Sequence, residues 1–192
     1  MIFTASINLR LEQLLCVSDA QKSRSSDDRP RRDYHMIQKI LFINPPSVAE
    51  SDFRIDFAMN DRYWSYPPYS AATLVATVKR HGYDAHILDL NHWMLKTAKT
   101  FGSIGMTFNY QKNLEWRLRM ELIKYQPDLV GVSVMFSMQH GVALDIVRYC
   151  KNKGYRTIIG GVHASNDSER VLIDAGDSLD YLGLYESELS LP

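Results

Sequence analysis

Three short stretches hold the residues whose types could support chemistry. The first, Thr157-Ile158-Ile159-Gly160-Gly161-Val162-His163-Ala164-Ser165, is an apolar run that stops at two glycines and continues into a histidine and a serine. Two glycines at the end of a strand remove both Cβ atoms, so the backbone can turn sharply or admit a flat group at close range. The second, Gly131-Val132-Ser133-Val134-Met135-Phe136-Ser137, ends an apolar run with two hydroxyls that can donate or accept. The third, Ile43-Asn44-Pro45-Pro46-Ser47, ends a run with prolines, which cannot donate to a ladder. His163 is either a group that approaches a ligand or a loop histidine facing solvent. His35, His81, His86, His92 and His140 have no metal-ligand spacing with a carboxylate. Cys16 and Cys150 lack CxxC spacing, which excludes a disulfide framework and a cysteine-based zinc or iron–sulfur site within this chain. They read as reduced thiols of a cytoplasmic protein.

These stretches need a scaffold. The chain has 192 residues with 45% hydrophobic and 11% aromatic side chains, the composition of a globular domain with a real core. Its 22 basic and 22 acidic residues cancel, so nothing points to nucleic acid or an anionic membrane. No run of about 18 apolar residues suggests a membrane span. Residues 1–35 are charged and Ser-rich toward their end, and read as a disordered or weakly ordered extension. Met36 is an alternative start, with an ordered domain over 36–188 and a tail over 189–192.

Apolar runs at 39–43, 85–90, 129–134 and 156–159, with a shorter one at 178–183, predict five strands. Helices are predicted over 70–82, 112–125, 140–153 and 168–175. Ser70 is positioned to cap the first helix, and Gly82 to end it. The segment 91–110 reads as apolar but irregular. The loop 48–68 is rich in aromatics, and Tyr63, Trp64 and Tyr66 either pack onto the sheet or cover a bound group. Strand and helix alternate throughout, which predicts an α/β flavodoxin-like (Rossmann-like) fold. Its five parallel strands take the order 2-1-3-4-5, with helices on both faces. A dinucleotide-binding variant needs GxGxxG after the first strand, and Asn44-Pro45-Pro46-Ser47 has no such glycines.

In order along the chain, Ile43-Asn44-Pro45-Pro46, Tyr66-Pro67-Pro68, His81-Gly82-Tyr83, Asp89-Leu90-Asn91, Pro127-Asp128-Leu129-Val130-Gly131-Val132-Ser133 and Ile159-Gly160-Gly161-Val162-His163-Ala164 stand out. Together they resemble the N-terminal cobalamin-binding domain of the B12-dependent radical SAM enzymes. The resemblance runs over about 39–188. It implies that cobalamin lies on the C-terminal edge of the sheet with its nucleotide tail entered between strands. It further implies a cofactor site of Asn44, Pro45, Pro46, Gly131, Ser133, Ser137, Gly160, Gly161, His163 and Ala164, without a histidine ligand to cobalt from the first loop. The family's CxxxCxxC motif is missing from the chain, and Tyr185-Glu186-Ser187-Glu188 keeps only the acids of its Gly-Glu-Gly-Glu.

The expected role is therefore a cobalamin-binding module of a radical SAM methyltransferase-type protein. It has no iron–sulfur cluster and no complete catalytic site of its own, and its partner is a separate or missing radical SAM domain. The alternative is a flavodoxin-like interaction or regulatory domain that binds no corrin. A response regulator needs a phosphoacceptor Asp ending the third strand, and Ser133-Val134-Met135 supplies none.

Overall fold

A computed structural model describes residues 15–16 and 36–185. Five strands, β1 (Lys39–Asn44), β2 (Asp84–Asp89), β3 (Leu129–Ser133), β4 (Arg156–Gly160) and β5 (Tyr181–Leu182), form a parallel sheet in the order 2-1-3-4-5. This is the flavodoxin-like order expected from the sequence. Helices α1 (Ile55–Met59), α2 (Tyr69–Arg80), α3 (Leu90–Ser103), α4 (Tyr110–Tyr125), α5 (His140–Asn152), α6 (Val162–Asn166) and α7 (Ser168–Ala175) fill the connections. The pair Leu15–Cys16 adds an antiparallel edge to β5, with Leu15 opposite Leu182. The rest of the 1–35 extension, and Glu186 to Glu188, lie outside the described residues.

The sheet's two faces are filled differently. Side chains alternate along a strand, so neighbours point to opposite sides. On one side Leu41, Ile43, Val130, Val132 and Ile159 pack with Met94, Leu114, Leu118, Leu122, Ile146 and Val171 from α3, α4, α5 and α7. On the other, Ile40, Phe42, Leu129 and Ile158 meet Ala71 and Val78 of α2. Among the described residues, α2 is the one helix contributing buried residues to that second cluster.

Two local expectations are corrected. The segment 91–110 is helical over its first two-thirds, as α3. Asp89 caps it by accepting from His92 N at 3.0 Å, and Leu90, Met94 and Ala98 give it a buried stripe. The helix follows β2 with no intervening residue, so no turn signal separates them. Ser70 does not cap α2. The helix starts one residue earlier, with Pro68 at the N-cap and no side-chain cap bond, and the Ser70 hydroxyl instead lies 3.3 Å from Ser133 Oγ.

Candidate functional site

Parallel register places the ends of β1, β2, β3 and β4 level. Asn44 stands opposite Asp89, and Ser133 opposite Gly160. This edge contains the sequence-predicted site, but its residues divide into two groups. Gly161 has φ 105°, and a Cβ there would come within 2.5 Å of Val134 O. Val134 N donates to Gly160 O at 2.8 Å, and His163 N donates to Val134 O at 3.1 Å. The close backbone approach that Gly161 permits is thus to Val134. Gly131 is likewise filled, since a Cβ there would lie 3.1 Å from the Phe42 ring and 3.2 Å from Ile158 Cγ2. Ala164 is fully buried in the multi-helix core. Pro45 and Pro46 are buried, and Pro45 O accepts from Gln139 Nε2 at 3.2 Å.

Gln139 was not visible as a site residue in the sequence. Its Oε1 also accepts from Met135 N and Phe136 N at 3.0 and 3.2 Å, so one buried amide ties the loop after β1 to the loop after β3. Asn44 is held by donating from Nδ2 to Asp89 Oδ1 at 2.9 Å.

The remaining residues differ in exposure. Gly160 is half-buried and Ser137 exposed, while Ser133 is buried against Ser70 at the start of α2. Gly131, Ser133 and Gly160 lie on the α2 side of the sheet, in alternation with the multi-helix core residues Val132 and Ile159. Large exposed apolar side chains in the connections after β1 and β3 are Trp64 (68% exposed), Tyr66 (65%), Tyr69 (74%), Phe136 (61%) and Met138 (64%). Trp64 O accepts from Asn91 Nδ2 at 2.9 Å and the Trp64 and Tyr66 rings lie 5.4 Å apart, which puts this pair beyond the end of β2. The exposed apolar side chains of these two connections make this edge a candidate binding surface.

Tyr63 does not join it. Its ring stacks on Phe53 at 5.5 Å, and its hydroxyl accepts from Arg54 N and donates to Asp52 O. The aromatic loop therefore splits, with Phe53, Phe57 and Tyr63 folded inward and Trp64 and Tyr66 turned out. A narrow crevice lined by Pro46, Ser47, Asn91, Met94 and Tyr110 adjoins β1, without interior room for a water-sized molecule. It lies on the multi-helix side of the sheet, since Met94 and Tyr110 belong to that core.

His163 is buried (8% exposed), contrary to a solvent-facing loop histidine. Its Nε2 lies 2.9 Å from His140 Nδ1, and His140 Nε2 lies 3.0 Å from Asp174 Oδ2. The two rings meet edge to face at 5.0 Å. Burial, and then the neighbouring His140, push the His163 pKa down. The hydrogen bond from His140 holds the Asp174 carboxyl below the usual range. This chain joins α6, α5 and α7. Residues so far apart in sequence carry no spacing signal, so only folding brings them together.

No cluster of three or more His, Cys, Asp or Glu able to hold a metal ion occurs among the described residues. Cys150 is buried, and burial pushes its thiol up to about 12. No helix among the described residues is long and apolar enough to cross a membrane.

No family model and no curated protein matches the sequence. A solved structure does match in fold, the radical S-adenosylmethionine methyltransferase TsrM from Kitasatospora setae with tryptophan substrate and a SAM analogue bound. The TM-score is 0.51 at 16% identity, over 72% of this chain. The match spans 22% of that protein's length, so the chain corresponds to a part of it.

Proposed function

We propose that this chain binds cobalamin across the C-terminal edge of its sheet and serves as the cofactor module beside a radical SAM catalytic domain. One observation carries the reading. The small strand-end residues Ser133 and Gly160 face the sheet side where α2 is the one covering helix among the described residues, and the connections after β1 and β3 carry the exposed side chains Trp64, Tyr66, Tyr69, Phe136 and Met138. A broad, flat ring with a tail is a ligand that such an open edge can take without an enclosing cavity. The resemblance of the strand-end motifs to cobalamin-binding domains supports the same reading, and so does the fold shared with part of a radical SAM methyltransferase.

When bound, cobalamin supplies a cobalt centre able to carry a methyl group. The chain's own residues provide the setting. Ser133 and Ser137 offer hydroxyls to the polar tail. Gly160 leaves room beside them. The exposed aromatics cover apolar ring surface and exclude water from it. Gly131, Gly161 and Ala164 act one step back, by allowing the backbone and core packing that set this edge.

The test is gel filtration of micromolar protein with hydroxocobalamin. Wild type is expected to elute with corrin absorbance, and Gly160→Leu or Phe136→Asp to lower the retained corrin by roughly tenfold. Folded wild type eluting colourless overturns the reading and leaves an interaction module that binds no corrin.

A further inference from the structure

We propose that Asp174, His140 and His163 form a proton relay whose outer end, His163 Nδ1, takes a proton or hydrogen bond from a protic ligand at the sheet edge. The order of donors follows from the contacts. Ionised Asp174 is acceptor-only, so His140 places its proton on Nε2, 3.0 Å away. Neutral His140 is then an acceptor at Nδ1. His163 must therefore carry its proton on Nε2, 2.9 Å from that atom. This leaves His163 Nδ1 with a bare lone pair. Nδ1 has no partner among the described residues, yet it is not sealed off. Tyr125 Oη is the one buried side-chain polar atom without a partner among them.

A proton arriving at His163 Nδ1 lets the Nε2 proton pass to His140 Nδ1. The products are a neutral His163 with its tautomer exchanged, a His140 imidazolium against Asp174, and a deprotonated ligand. One proton enters and one charge moves inward. The backbone bond from His163 N to Val134 O fixes the outer imidazole against the loop after β3, beside the proposed ligand edge.

The charged groups around the relay favour a single stored proton. Asp174 faces His140, with Arg170 Nε 3.4 Å from the same carboxylate and Arg148 donating to the Asp174 carbonyl at 2.7 Å. Asp167 and Arg170 also act on His163, in opposite directions. His140 and Asp174 are thus positioning residues for His163. The N–H donors of a corrin's carboxamide fringe are a fitting ligand class for the hydrogen bond to His163 Nδ1, whereas the proton transfer needs a more acidic donor such as hydronium from solvent. That choice rests on the cobalamin reading, whereas the relay does not.

Long-range proton–nitrogen correlation of the imidazoles in uniformly labelled full-length protein, between pH 8.5 and 5, tests this without any corrin. At high pH both rings are expected as Nε2–H tautomers. On acidification one proton is taken up with a shared midpoint, as His140 becomes the imidazolium and His163 switches to Nδ1–H. In Asp174→Asn the neutral amide still accepts from His140 but no longer stabilises its charge, so the midpoint should fall by about one pH unit. His140→Phe should release the His163 tautomer lock. An Nδ1–H tautomer of His163 at high pH, independent titration of the two rings, or an unmoved midpoint in Asp174→Asn overturns the relay. Colourless elution with hydroxocobalamin bears only on the cofactor.

Discussion

The two faces of the sheet are built for different ends. One holds a continuous core in which Leu41, Leu118 and Ile146 are sealed by helices from four connections. The other rests on α2, with small residues toward the strand ends and a hydroxyl pair, Ser70–Ser133, where the first face has methyl groups. Apolar burial concentrates on the first face, so stability should concentrate there too. The second face can then leave Gly160 half-buried at little cost to folding. The contrast teaches where to look for a ligand, namely on the side of the sheet that packs less.

Mutations can break this comparison. Leu118→Ala on the multi-helix face should cost about 2–5 kcal/mol in urea denaturation. Ser70→Ala on the other face removes one hydrogen bond and should cost about 1 kcal/mol. Equal losses would mean that the faces share the load. Gly161→Ala should fall between them, at about 1–3 kcal/mol, because its Cβ meets Val134 O while φ is 105°. A neutral result would show that this backbone approach relaxes freely.

The smallest effect concerns pH. The folded pKa of His163 lies below its ordinary value of 6.5, chiefly through burial. The unfolded chain therefore takes up the proton more readily. Stability from this group is present above about pH 6.5 and is lost as pH falls through the lowered folded value. Denaturation midpoints should drop from pH 7.5 to pH 5. The drop should shrink in His163→Gln, whose amide can still donate to His140. An unchanged slope would remove His163 as its source.

Much of the fold was legible because it rests on local patterns. The buried runs around Leu41, Val130 and Ile158 read as strands, Gly82 marked a helix end, and their alternation implied the parallel order. The α3 helix escaped because β2 passes into it without a turn residue. The candidate site was legible only as a location. Gly131 and Gly161 look alike in sequence to Gly160, yet one accommodates Phe42 and Ile158 and the next accommodates Val134 O. A missing Cβ does not say what fills its space.

The order of apolar runs and breakers by itself determined the α/β class, the strand order and the edge where loops gather. Those depend on periodicity and chain direction, which are properties of neighbours along the chain. Tertiary structure alone decided that His163 meets His140 and, through it, Asp174. It also decided that Gln139 ties two loops together and that Tyr63 turns in while Trp64 turns out. Such contacts join residues distant in sequence. Their partners are chosen by packing across elements, which no local pattern encodes.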